Sequence, residues 1–251
     1  MSAQPPLHLR DITVRRGDRV VVDRVSLAVQ GGELIGLIGP NGAGKTTLMR
    51  AALGLIACNG SSDIAALPPA RRALTAAWLP QSRDAVWPMT VEALVRLGRI
   101  PHRRPDADPA QVTAAMARMG IGDLRDRRVT ELSGGEQARV LIARALAQDT
   151  PVLMADEPIS GLDPAHQISA MQCFRDLAAE GRCVIVALHD LGLAARYCTR
   201  LVLMNAGRVV ANGSPAAVLT PDLLAQVFGI SGAFADTPDG PAFLPLSVIK
   251  P

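Results

Sequence analysis

Five apolar residues, Leu34–Ile38, run without a break into Gly39-Pro40-Asn41-Gly42-Ala43-Gly44-Lys45-Thr46-Thr47, and a helical pattern begins at Lys45. A buried strand, a glycine-rich turn and a helix in that order leave few folds open. A strand that is apolar at every position belongs inside a parallel sheet covered on both faces. The spacing G-x-x-x-x-G-K-[ST] has a chemical reason. Glycines let backbone N–H groups turn inward as a nest for an anion, and the following helix points its N-terminus at the same place. Lys45 then reaches the β- and γ-phosphates of a nucleotide, and the Thr46 hydroxyl ligates Mg²⁺. The only other lysine is Lys250, every remaining basic residue being arginine. A lysine at this position is therefore not a product of composition.

The rest of the chain fits an α/β core. Leu7–Val14 alternates apolar and polar residues and Val20–Val29 is β-rich, so the two form an opening antiparallel layer. A helix over 45–56, a strand over 73–79 and a mostly helical stretch over 90–148 follow. Beyond them, Val152–Ala155 and Cys183–Leu188 are strands separated by a helix that starts at Pro164 and ends near Gly181. A hairpin turns at Asn205-Ala206-Gly207, and Ser214-Pro215 opens a last helix to about Phe228. The tail from Ser231 is rich in Pro and Gly and reads as extended. The boundaries divide one domain, 1–251, into a core over 1–83 and 149–230, an inserted helical subdomain over 84–148, and a tail over 231–251.

Composition excludes several alternatives. A net charge of +3 is too small to argue for nucleic acid. Four scattered cysteines, Cys58, Cys173, Cys183 and Cys198, form no C-x-x-C pair, which fits reduced thiols better than disulfides or zinc. No apolar run is long enough to span a membrane.

A second acidic element supports the phosphate loop. Val152-Leu153-Met154-Ala155 ends in Asp156-Glu157. Strand ends of a parallel sheet face the ligand crevice. Asp156 is placed to hold Mg²⁺ and Glu157 to orient the attacking water or take its proton. His189, at the end of the next strand, is placed to meet the γ-phosphate, whereas His8, His102 and His166 read as structural.

Leu132-Ser133-Gly134-Gly135-Glu136-Gln137 opens another helix. Ser133 followed three residues later by Glu136 has capping-box spacing, and Ser-Gly-Gly at a helix N-terminus is also a second anion site. With the phosphate loop, Gln81, Asp156-Glu157, Ser160-Gly161-Leu162-Asp163 and His189, this set resembles the nucleotide-binding subunit of ABC transporters over residues 7–228. The resemblance implies a P-loop NTPase (RecA-like) core, ATP and Mg²⁺ as cofactors, and ATP hydrolysis. It makes Gln81 the Q-loop residue, at Mg²⁺ and the membrane partner, and His189 the switch histidine. Ser133, Gly134 and Gly135, with Glu136 beside them, become a signature reaching the γ-phosphate on the opposite protomer, and Asp163 a D-loop aspartate at the interface. Two copies then pair head to tail around two ATP molecules. Many family members carry an aromatic residue that stacks on adenine before the first hairpin glycine. Here Arg15-Arg16-Gly17 stands there, so Arg16 either stacks its guanidinium or is solvated.

Finer signals, each weak alone, resemble the importers of iron chelates, haem and cobalamin. These are Trp78-Leu79-Pro80-Gln81, Val86-Trp87-Pro88-Met89-Thr90-Val91, Leu97-Gly98-Arg99-Ile100-Pro101-His102, Asp163-Pro164-Ala165-His166-Gln167 and the short tail ending Phe243-Leu244-Pro245-Leu246. They imply a subunit peripheral to the cytoplasmic face of the inner membrane, with permease subunits as partners and, indirectly, an extracytoplasmic substrate-binding protein. A soluble ABC ATPase, another cargo, or export remains the alternative. The cluster Arg99, His102, Arg103, Arg104 reads as a solvated loop face, with a role near anionic lipid heads as the other option.

Overall fold

The computed structural model describes residues 7–81, 88–102, 109–237 and 240–249. Two long antiparallel strands open the chain, β1 (Leu7–Arg16) and β2 (Arg19–Val29). Next come the buried β3 (Leu34–Ile38), α1 (Lys45–Ala52), the short β4 (Asn59–Ser62), α2 (Pro69–Thr75) and β5 (Ala76–Leu79). Three helices follow, α3 (Val91–Arg96), α4 (Pro109–Arg118) and α5 (Gly134–Ala147). The chain then alternates β6 (Val152–Asp156), α6 (Pro164–Ala179), β7 (Cys183–Ala187), α7 (Leu191–Tyr197) and β8 (Arg200–Asn205). It ends with β9 (Arg208–Gly213), the short α8 (Pro215–Val218) and α9 (Pro221–Leu223), and the hairpin β10 (Ile230–Thr237) and β11 (Gly240–Val248).

The central sheet has the order β5-β6-β7-β3-β8-β9. All neighbours are parallel except the β8–β9 hairpin. The consequence for function is geometric: β5, β6, β7 and β3 lie side by side and end on one edge, where a parallel sheet presents its loops to ligands. A second sheet, β2-β1-β4, is antiparallel and forms the expected opening layer, with β4 as an added strand.

β3 shows why its sequence is apolar throughout. Leu34 and Ile38 join the core under the helices, while Ile35 and Leu37 join the core between the central sheet and the opening layer. Phe174 of α6 is fully buried in the former, and truncating such a ring costs about 3–5 kcal/mol.

Several sequence expectations need correction. α1 stops at Ala52 rather than 56, because Gly54 takes φ +66° and ends the helix. The strand expected over 73–79 is confined to Ala76–Leu79. The preceding residues form α2, opened by Pro69 and held by the Arg72 guanidinium, which donates to the carbonyls of Gly54, Ala65 and Leu67. The last helix is broken at Thr220-Pro221, since a residue before proline is disfavoured in the α region. It resumes as α9 and a π-turn, Leu224–Phe228, closed by Gly229 at φ +66°. The tail, by contrast, is extended as expected, and its two strands pair as a hairpin whose Phe234 and Phe243 rings meet edge to face at 5.5 Å.

Two members of the basic cluster, Arg99 and His102, are not part of a solvated face. Arg99 is buried and donates to the Ala147 carbonyl, and His102 bonds the Gln148 carbonyl, so both tie the stretch after α3 to the C-terminal end of α5. Arg103 and Arg104 lie outside the described residues, as do Val86 and Trp87.

Candidate active site

The loop after β3 is shaped by glycines that no other residue could replace. Gly39 has φ +146°, and a Cβ there would lie 2.1 Å from the Met204 carbonyl oxygen. Gly44 has φ +102°, with a Cβ position 2.8 Å from the Val21 carbonyl oxygen. The loop is pinned from the far side by Gly207, whose N–H donates to the Ala43 carbonyl at 3.0 Å. Its conformation is thus set by β2 and by the β8–β9 turn, both distant in sequence. Gly44 caps α1 without any side-chain hydrogen bond. The first N–H groups of that helix therefore remain available to an anion.

Four adjacent strand ends complete the site. β3 delivers the loop, β5 delivers Gln81, β6 delivers Asp156 and Glu157, and β7 delivers His189. A cavity of about 830 Å³ is lined by Gly42–Thr47 of the loop together with Gln81, Glu157 and His189. Asn41 also lines it, as do Arg16, Arg19 and Val21 from the β1–β2 hairpin.

Lys45 is buried, and its Nζ donates to the carbonyls of Gly39 at 2.7 Å and Pro40 at 3.2 Å. Burial pulls its ammonium below the usual lysine range, and the charges of Glu157 and Asp156 act against that pull. Asp156 is only 1% exposed, and neither of its oxygens has a hydrogen-bond partner of good geometry. Burial pushes its carboxyl up, while the Thr46 hydroxyl and then Lys45 pull it down. Two orphaned carboxylate oxygens next to a hydroxyl fit a hard divalent cation that takes its remaining ligands from water and phosphate. Among the described residues no cluster of three or more His, Cys, Asp or Glu could cage a metal without such help.

Glu157 sits in a left-handed backbone conformation, φ +50°, uncommon for a residue with a side chain. Its N–H donates to the Ala187 carbonyl at 3.1 Å, which locks the turn onto β7. The carboxylate is bonded twice: Gln81 Nε2 donates to Oε2 at 2.8 Å, and His189 Nε2 meets Oε1 in a short contact. Three groups predicted separately from the sequence are therefore one hydrogen-bonded unit.

Other predicted residues stand apart. Ser133 accepts from the Glu136 N–H and Glu136 accepts from the Ser133 N–H, completing the expected capping box on α5. Asp163 caps α6 by accepting from the His166 N–H at 3.0 Å. Neither Ser133–Glu136 nor Asp163 lines the cavity of its own chain. Arg16 does, and so does Arg19, which sequence reasoning passed over. The signal was the hairpin itself, since Arg16 and Arg19 are direct cross-strand partners at its tip.

Comparison with known proteins decides the family. The ABC transporter family matches residues 22–160. The chain belongs to the ABC transporter family. As a member it is an ATP-binding subunit with ATPase activity. It is 43% identical over 236 residues to the hemin import ATP-binding protein HmuV of Nocardia farcinica, covering 88% of this chain and 82% of that one. With the protein of the same name from Pseudomonas aeruginosa the identity is 41%, covering 89% and 92%. The cobalamin import ATP-binding protein BtuD of Halobacterium salinarum is 45% identical over 87% of this chain, but the chain spans only 57% of that relative's length. These relatives match the importer group that the sequence resembles. Among solved structures, an ATP-binding subunit of an ABC transporter superposes with a TM-score of 0.77 at 26% identity, covering 91% of this chain and 95% of that one. A dimeric ATP-binding cassette bound to ADP and phosphate gives 0.75 at 24% identity, covering 84% and 99%.

Proposed function

We infer that this ABC subunit binds Mg·ATP as a head-to-tail dimer and hydrolyses it to power import of haem, cobalamin or an iron chelate through a partner permease. The observation that carries the reading is the Gln81–Glu157–His189 unit at the mouth of a phosphate cavity that lacks its own chain's Ser133–Gly135. A second copy would supply that signature, with Asp163 at the interface, and so close each site. Mg²⁺, held by Thr46 and Asp156 with Gln81 near, would neutralise phosphate charge. Lys45 and His189 hold the γ-phosphate, and Glu157 orients the attacking water and takes its proton. In the ligand-free chain Glu157 is occupied by Gln81 and His189, so the base is engaged until those contacts rearrange.

The cargo group rests on the names of the relatives. Among the described residues no helix is long and apolar enough to cross a membrane, which fits a subunit held peripherally by its permease at the inner-membrane face. An extracytoplasmic substrate-binding protein would deliver the cargo.

Glu157→Gln tests the mechanism. Hydrolysis should fall about 10²–10⁴-fold, the usual weight of a general base, while Mg·ATP converts the variant from monomer to dimer by light scattering. An unchanged rate would remove Glu157 from the chemistry. Uptake of labelled haem, cobalamin and ferric chelate after gene deletion then assigns the cargo, and normal uptake of all three would reject it.

A further inference from the structure

The phosphate loop is soft by composition and has to be held. Gly39, Gly42 and Gly44 all take positive φ, and glycine loses the most conformational freedom when it is ordered. A loop already in its binding shape spares the ligand that ordering. What holds this one is a chain of contacts that ends outside the cavity. The Ala43 carbonyl accepts from the Gly207 N–H at 3.0 Å, and the Gly207 carbonyl accepts from the Asp23 N–H at 2.9 Å.

The turn in the middle of that chain does not hold itself. It joins the paired residues Asn205 and Arg208, with Ala206 at φ +46° and Gly207 at φ +81°. A two-residue turn with positive φ at both central positions favours Asn or Gly there, and the left-handed region is strained for alanine. The turn is also tightly seated on β2, since a Cβ at Gly207 would lie 2.6 Å from the Val21 carbonyl oxygen. A side-chain contact braces it there. Arg208 Nε donates to Asp23 Oδ2 at 2.8 Å, and Nη2 lies 2.6 Å from the same oxygen. That hydrogen bond holds the Asp23 carboxyl below its usual range, so the pair is charged at neutral pH. Arg24, the next residue of β2, reaches the other oxygen, Oδ1, at 3.3 Å. Neither Asp23 nor Arg208 lines the cavity.

We propose that Asp23 and Arg208 are positioning residues for nucleotide binding: their ion pair clamps the β8–β9 turn onto β2, and the clamped turn holds the Ala43 carbonyl and with it the phosphate loop. This rests on the reading that the loop takes the nucleotide's phosphates, and adds to it two residues that do not touch the ligand.

Calorimetry on the full chain with Mg·ATP and with inorganic tripolyphosphate tests both. Asp23→Ala should weaken the two ligands equally, about fivefold, the upper end of what an exposed ion pair contributes. The sign decides between causes. Removing a carboxylate makes the local field more positive, which by charge alone would tighten an anion. Arg208→Ala should weaken binding to the same extent, and the double variant no further than either single one, as for one coupled pair. Arg24→Gln takes an equal charge from the same carboxylate and should leave both affinities within about twofold, as for an ordinary surface change. Hydrogen exchange at the Gly207 amide should speed up in Asp23→Ala and Arg208→Ala with Tm nearly unmoved, because an exposed pair adds little to global stability. Binding that is unchanged or tighter in Asp23→Ala overturns the proposal, and so does an equal loss in Arg24→Gln. An unchanged exchange rate at Gly207 overturns the route through the turn. Failure of the unaltered chain to bind either ligand overturns the phosphate-loop reading instead.

Discussion

Two helix N-termini in this molecule carry glycine-rich anion motifs, and they are built in opposite ways. α1 begins at Gly44, has no side-chain cap and no acidic residue in its first turn. It faces a cavity lined by the buried Lys45, and the buried Asp156, whose oxygens have no hydrogen-bond partner of good geometry, lies next to Thr46 of that lining. α5 begins at Ser133, has a complete capping box and carries Glu136 in its first turn. Hydrogen bonds from the Ser133 backbone and side chain hold the Glu136 carboxyl below the usual range. A Cβ at Gly134 would meet nothing within 4 Å. One N-terminus is stabilised only when a ligand arrives. The other is satisfied by its own side chains and turns a bare glycine surface outward. Under the proposed function, the difference lets one chain hold two phosphate-binding elements without their competing for one ligand.

The strongest way to break this comparison is to disable each end in a separate copy. Lys45→Ala should lower ATP affinity roughly hundredfold, the loss expected for a buried hydrogen bond to charge. Ser133→Asp should keep the fold, because Asp caps as well as Ser, but should abolish hydrolysis by placing a carboxylate against a partner's phosphate. Each variant alone should be inactive. Mixed, they form dimers in which one site has an intact loop and an intact signature, so ATPase activity should return in the mixture. Failure of the mixture to recover activity would show that the two ends do not serve one ligand across an interface.

A smaller effect concerns the ligand-free state. A carboxyl raised in the fold binds its proton more tightly there than in the unfolded chain. Its favourable contribution is present below the unfolded value and is lost as pH rises through the folded value. Burial raises Asp156 in this way. At neutral pH the ionised, unpartnered group is therefore a net cost. Asp156→Asn should stabilise the ligand-free chain by about 1–3 kcal/mol, a shift of several degrees in Tm, while weakening nucleotide binding in the presence of Mg²⁺. The gain should shrink as the pH is lowered. A Tm lowered by the substitution would show that Asp156 is a structural anchor and not a waiting ligand.

The sequence exposed what is local. The strand–loop–helix from Leu34 to Ala52, the capping box at Ser133–Glu136 and the carboxylates ending β6 are all contiguous patterns with a mechanical reason. What it hid depends on distant partners. β4 is Asn59-Gly60-Ser61-Ser62, polar throughout, and is a strand because β1 pairs with it. Arg99 looks solvated by type, yet it is buried under the end of α5. The left-handed Glu157 and its bond to Gln81, 76 residues away, follow from the order of strands in the sheet. Arg19 became visible only through the register of a hairpin.

The smallest effect isolates the cap on α5 from its role toward a ligand. Ser133→Ala removes the hydroxyl that accepts the Glu136 N–H and should cost about 1 kcal/mol of stability by denaturant titration. Ser133→Asp should cost close to nothing. If capping were the whole purpose of this serine, hydrolysis would follow stability, and the aspartate variant would be active. If the outward N-terminus meets a partner's phosphate, hydrolysis should be lost in both variants at temperatures where both are folded, and ATP binding to the monomer should be unchanged in both. That split, stability following the cap and turnover following the contact with a partner's phosphate, would separate an N-terminus that serves its own chain from one that serves another.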